Sequence, residues 1–156
     1  MFHRILVAID GSEHAQRALR EAADLAKLSN AKLTVMTVCQ KPSALLVGGP
    51  VVPPIDMRSL DEALQREHQQ LLESALEEIP RDVSVVKVLA QGSPAGAILE
   101  QARKGEHDLI VLGSRGRGGM TAMLLGSVSL HVMQRSRVPV LVTHTDEESA
   151  PSEEPA

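Results

Sequence analysis

Aromatic side chains are nearly missing from this chain: Phe2 stands alone among 156 residues, with no tryptophan and no tyrosine. Stacking platforms for single-stranded nucleic acid are thereby excluded, since these need rings on which bases lie. Any base bound here must rest on aliphatic side chains and backbone. Cysteine is scarce as well. The single Cys39 rules out an internal disulfide and fits a reducing compartment, where its expected role is a small, partly buried residue at a strand end. Positive charge is in deficit, with 16 Lys and Arg against 20 Asp and Glu and a net charge of −4. That balance opposes general attraction to nucleic acid or an anionic membrane. No apolar run approaches the ~20 residues of a membrane-spanning helix, and Met1–Ile9 reads as a strand rather than a signal peptide. The expected location is the cytoplasm.

What is present is an ordinary globular composition, 43% hydrophobic and 23% charged, in a length that suits one domain with a substantial core. His3–Ile9 is aliphatic and reads as a first, buried strand. It ends at Asp10-Gly11-Ser12, where Ser12 is placed to cap a helix and Glu13 to favour its dipole. Ala15, Ala18, Leu19, Ala22, Leu25 and Ala26 then recur at helical spacing, and so many alanines imply close packing on a sheet. Lys32–Val38 is a second strand. Leu60–Ile79 is the longest helical pattern, with Ser59 or Asp61 as its expected cap and Pro80 beyond its end. His68 falls near its apolar stripe and reads as a packed or half-exposed histidine.

Val83–Leu89 is a third strand, followed by Ser93-Pro94, an N-cap with proline at the first helical position. The short helix through Ile98, Leu99 and Ala102 ends near Gly105. Asp108–Leu112 is a buried strand, Val128–Met133 a helix, and Val138–Thr143 a last strand. Two segments stand outside this alternation. Gln40–Met57 carries Pro42, Gly48, Gly49, Pro50, Pro53 and Pro54, so it is neither continuous helix nor central strand. It is also apolar, and reads either as a cover for the sheet edge or as a lid or partner surface. The end of the chain, 145–156, is acidic and proline-bearing and is expected to be a disordered tail to a domain spanning 1–144. Aliphatic strands alternating with helices imply an open, doubly wound, five-stranded parallel α/β sheet covered on both faces. Ligands of such sheets bind beyond the carboxyl ends of the strands, where Asp10, Val38 and Gly113 fall.

The chemistry concentrates in one stretch. Residues 113–119, GSRGRGG, hold four glycines and two arginines directly after a strand. Gly126-Ser127 follow at the start of the next helix. Backbone N–H groups, hydroxyls, guanidinium groups and a helix N-terminus all favour an anion such as phosphate. The alternative is a surface loop with solvated arginines. Two common nucleotide signatures fail: a P-loop lacks its lysine between Gly126 and Ser127, and G-x-G-x-x-G from Gly116 and Gly118 meets Thr121.

Gly113-x2-Gly116-x9-Gly126-Ser127 resembles the ATP-binding signature G-2x-G-9x-G-[S/T] of the universal stress protein family. RILVAIDGS near the start, Gly92-Ser93-Pro94, DLIVLGSRGRGG, LLGSVS and PVLV are similar too, so the likeness runs from Phe2 to Thr143. It implies strand order 3-2-1-4-5, a Rossmann-like fold of the adenine nucleotide alpha hydrolase type, and a homodimer paired through Val138–Val142. By the same resemblance, Ala8 and Asp10 lie by adenine and ribose, and Val38 meets adenine through its backbone. Gly113, Arg115 and Gly116 wrap ribose and phosphates, Gly126, Ser127 and Val128 hold the phosphates, and Arg117 reaches the outer ones. Mg²⁺ would bridge the phosphates with few protein ligands.

The function so implied is an ATP-binding dimeric switch or sensor in the stress response. Two rivals stand beside it. One is a slow ATPase or autophosphorylating protein, with Ser114, Ser127 and Ser129 as candidate acceptors, though the sequence offers no placed general base. The other is an ATP-independent interaction module using Gln40–Met57.

Overall fold

Side chains along a strand alternate between faces, and the aliphatic runs here supply both sides of one sheet. The structure, a computed structural model, describes residues 1–41, 56–116 and 125–145. The proline-rich segment, Arg117 and the acidic tail beyond 145 lie outside the described residues. Among the described residues, strands and helices alternate as β1 (Arg4–Ala8), α1 (Glu13–Ser29), β2 (Lys32–Cys39), α2 (Met57–Glu77) and β3 (Val85–Gln91), then α3 (Pro94–Lys104), β4 (Leu109–Gly113), α4 (Ser127–Arg135) and β5 (Val140–Thr143). All pairings are parallel, in the order β3-β2-β1-β4-β5. This is the doubly wound sheet and the strand order expected.

Two cores result from the alternation. On one face Ile5, Val7, Leu33, Val35, Leu109 and Val111 pack against α1 and the Leu72–Ala75 turn of α2. On the other, Leu6, Met36, Ile110 and Leu112 meet Ala95, Ile98 and Ala102 of α3 and Val132 of α4. The alanine stripe of α1 does what its composition implies: Ala15, Ala18, Ala22, Ala23 and Ala26 are buried, with no side chain long enough to hold the helix away from β1 and β4.

Local signals set most boundaries. Ser12 caps α1, its hydroxyl accepting from the Ala15 N–H at 3.2 Å. Pro94 opens α3 and Gly105 follows its end. The cap of α2 differs from expectation. Asp56, rather than Ser59 or Asp61, accepts from the Arg58 N–H at 3.1 Å, and the Ser59 hydroxyl donates back to Asp56 at 2.7 Å. β3 and β5 also begin later than their apolar runs. The Val83 N–H is taken by Pro80 O in a turn, and Ser136 and Val138 close a side-chain turn ahead of β5.

Candidate functional site

All five strands point the same way, so the segments leaving their carboxyl ends crowd one edge of the sheet. A cavity of about 530 Å³ opens there. Its lining includes Ala8, Asp10, Val38, Gly113, Arg115, Gly116, Gly126, Ser127 and Val128, residues drawn from four separated parts of the chain. These are all the site residues expected from sequence apart from Arg117, which lies outside the described residues.

Asp10 anchors the turn after β1. Its Oδ1 accepts from the Ser12 N–H at 2.9 Å and from the Ser12 hydroxyl at 2.6 Å. Gly11 between them has φ of 83°, a left-handed backbone that glycine adopts without strain. The other carboxylate oxygen lies against Gly116, where an added Cβ would stand 2.7 Å from it. Gly113 is tighter still: a Cβ there would meet the His14 backbone carbonyl carbon at 2.6 Å and its oxygen at 2.8 Å. At Gly126 a Cβ would approach Arg115 Cα and Ser114 O at 3.3 Å. The three signature glycines thus serve close approach. Left-handed φ belongs instead to Gly11 and Gly92 among the described glycines.

The start of α4 faces the cavity. Gly126 is its N-cap and supplies no side chain, while its own N–H is bound to Ser114 O at 2.6 Å. The first backbone bond inside the helix runs from the Leu130 N–H to Gly126 O, so the amides of Ser127, Val128 and Ser129 precede it. With Arg115 alongside, this end of the cavity concentrates positive potential.

The far end lies over β2. The β1–β2 ladder stops at Ala8 and Met36, and the Ile9 N–H donates to Met36 O at 2.8 Å. Val38, two residues on, turns its peptide groups to the same side, past the last rung of the ladder. Its peptide edge therefore borders the cavity mouth, beside Gln40 and His68. The walls between are aliphatic, with Ile9, Ile98 and Leu112.

Several lining residues were not singled out from the sequence. Ile98 and Leu112 look like any core position. His68 had a readable signal: it interrupts the four-residue series Leu60, Leu64, Leu72, Leu76 on the sheet-facing side of α2. Two of the three candidate acceptor hydroxyls are engaged in holding the loop. Ser114 is fully buried with its Oγ 2.9 Å from His14 Nδ1, and Ser129 donates to Gly113 O at 2.6 Å. Ser127 remains exposed at the helix start.

Cys39 ends β2 on the core face, 1% exposed, and burial chiefly, then the charges of Asp61 and Glu67, push its thiol up. A thiol held protonated in this way is inert packing. His107 sits at the opposite edge of the sheet, before β4, with ring nitrogens on Gln101 O at 3.2 Å and Thr34 Oγ1 at 2.8 Å. Burial holds its pKa below the ordinary imidazole value. No group of three His, Cys, Asp or Glu among the described residues is arranged to hold a metal. No helix among them is long and apolar enough to cross a membrane.

A sequence model of the universal stress protein family matches residues 1–144. Universal stress protein YxiE of Bacillus subtilis (strain 168) is 38% identical over 146 residues, covering 91% of this chain and 99% of the relative. The solved structure of universal stress protein UspA from Lactobacillus plantarum superposes with a TM-score of 0.72 at 26% identity, covering 90% of this chain and 96% of that one. A further universal stress protein, solved in complex with cAMP, gives 0.59 at 27% identity over 92% of this chain and 97% of its own.

Proposed function

This chain belongs to the universal stress protein family, and from that membership we propose that it binds an adenine nucleotide, ATP, in the cavity over the strand ends and acts as a dimeric switch. One observation carries the reading: glycines, Arg115 and the start of α4 meet at one end of the cavity, while peptide groups, aliphatic side chains, Gln40 and His68 line the other. A polyphosphate with a flat, mostly apolar base has that same polarity along its length. The relative solved in complex with cAMP supports an adenine nucleotide as the kind of ligand. Val38 would meet the base through its peptide groups, with Ala8 beneath it and Asp10 by the ribose. Gly113, Arg115 and Gly116 would follow the ribose and first phosphate. The amides of Ser127 and Val128 would hold the phosphates, with Gly126 allowing their close approach and Arg117 toward the outer ones.

Asp10 is the one carboxylate in the described lining. A single carboxylate fits Mg²⁺ held chiefly by phosphate oxygens and water, because that ion keeps much of its hydration shell. Neutralising phosphate charge is the chemistry the ion would supply.

The sheet's far side supports a dimer. β5 is an edge strand, and Leu141 on it and Leu130 and Met133 on α4 are exposed apolar side chains. Covering them against a second copy through Val138–Val142 would remove both the edge and the apolar surface. A lid or partner surface in Gln40–Met57, a folded unit spanning 1–144 and a cytoplasmic setting complete the proposal.

The deciding experiment is to purify the protein gently, denature it and identify released small molecules by mass. Near-stoichiometric ATP supports the reading. An empty protein that also takes up no added ATP overturns it in favour of an interaction module. Slow hydrolysis or label retained on Ser127 would add chemistry to the same site.

A further inference from the structure

His68 is the one imidazole among the described residues lining the cavity, and it lies at the end remote from the glycine loop. Its Nδ1 is 2.8 Å from Leu64 O, the carbonyl one turn back in α2. A carbonyl only accepts, so Nδ1 carries the hydrogen. In the neutral ring that leaves Nε2 as an acceptor, and no hydrogen bond engages Nε2 among the described residues. The tautomer is therefore set by the protein's own helix, and the lone pair lies on the ring edge turned away from that carbonyl.

The position matches one part of a nucleotide. Phosphates belong over β4 and α4; β2 is two strands away across β1, roughly 10 Å at ordinary strand spacing. That span sets the base, not the ribose, over the end of β2. Beside Val38, the base end of the cavity thus offers peptide groups and one imidazole acceptor. We propose that His68 selects the base: its Nε2 accepts a hydrogen bond from the exocyclic amino group of a 6-aminopurine. Such a group has two N–H hydrogens. The Val38 carbonyl can take one and His68 the other. A 6-oxopurine places an acceptor at that point, so lone pair meets lone pair and the oxygen loses the hydrogen bond it had in water.

This inference rests on the nucleotide reading of the cavity, and one titration series separates the two. ATP and inosine triphosphate share ribose and phosphates and differ along one base edge, an amino group and an N1 acceptor against an oxo group and an N1–H. Calorimetry of the full chain with both therefore reads recognition of that edge, and the His68 variants read the share that belongs to His68. The wild type should favour ATP. His68→Ala should weaken ATP about tenfold, the worth of one good hydrogen bond, while leaving inosine triphosphate unchanged or bound more tightly as the clash with the ring is relieved. His68→Gln, whose amide can turn either its oxygen or its NH2 group to the base, should bind ATP well and narrow the gap to inosine triphosphate. Far-ultraviolet circular dichroism of each variant checks that α2 is intact. An ATP preference unchanged in His68→Ala overturns the role of His68 and leaves the nucleotide site standing. Equal loss of both nucleotides in a folded His68→Ala also overturns it, because the ring would then only shape the cavity. Failure of the wild type to bind either nucleotide overturns the site itself and His68 with it.

Discussion

Glycine means two different things within a few residues of this loop. At Gly113 a side chain would collide with the backbone of His14, which cannot retreat without moving α1 off the sheet. Gly113→Ala should therefore destabilise the fold by about 1–3 kcal/mol, read as a lower urea midpoint. At Gly116 the obstacle is the Asp10 carboxylate, the movable end of a side chain. Gly116→Val should keep its melting temperature within a few degrees yet lose nucleotide affinity, as its side chain occupies the cavity and displaces Asp10. Equal thermal losses in the two variants would contradict this division. Spacing alone identified both positions as signature glycines. It carried no hint that one belongs to the fold and the other to the site, since that depends on which neighbour the missing Cβ would strike.

His107 gives a second prediction at this scale. The folded state holds its ring neutral below the ordinary value of 6.5, while the unfolded chain protonates near that value. As pH falls through about 6.5 the unfolded state takes up the proton first, so stability present above that pH is progressively lost until the lower folded-state value is passed. Urea unfolding from pH 8 to pH 5 should show the wild type losing more stability than His107→Gln, which has no proton to gain there. Parallel pH profiles for the two proteins would refute the assignment.

The elements were legible in proportion to how local their signals are. The cap at Ser12, proline at the start of α3 and Gly105 after its end are one-residue statements, and the structure bears out each. Competition within a short window is harder to resolve. Asp56, Ser59 and Asp61 all suit the start of α2, and Asp56 takes the role because the helix begins one turn earlier than its apolar periodicity. Strand starts were overextended for the same reason: Val83 and Val138 are apolar and packed, yet both sit in turns. α1 also links stability to the site. Ser12→Ala removes the cap and one of the two bonds from Ser12 to Asp10 Oδ1. A loss of about 1 kcal/mol in urea unfolding is expected, together with weaker nucleotide binding. Intact affinity in that variant would mean that Asp10 does not need the hydroxyl to hold its place.

For the whole molecule, the parallel sheet was written in the alternation of aliphatic runs and helical stripes, and its strand order came only from the likeness to a known family. The parallel-sheet rule already set Asp10, Val38 and Gly113 at one edge, while the roles of Ala8 and Gly126 there were legible only through that likeness. His68 reads in sequence as a packed or half-exposed histidine and is half-buried, but its place on the cavity was not legible, because only tertiary packing brings α2 to the end of β2. Assembly belongs to this scale as well. If β5 and α4 pair with a second copy, Leu141→Lys should shift the mass measured by light scattering from dimer toward monomer, since it places charge in an apolar contact. A wild type already monomeric at high concentration would remove the dimer from the proposal.

The cavity over the strand ends is walled by aliphatic side chains, in a chain with one phenylalanine and neither tyrosine nor tryptophan. Near-ultraviolet light therefore passes through this protein almost unabsorbed, and a purine held in the cavity would dominate the spectrum. With no indole or phenol to quench it, a fluorescent base analogue should stay bright when bound. If the proposed site is filled, ultraviolet absorbance would count the bound purine directly, with almost no protein background.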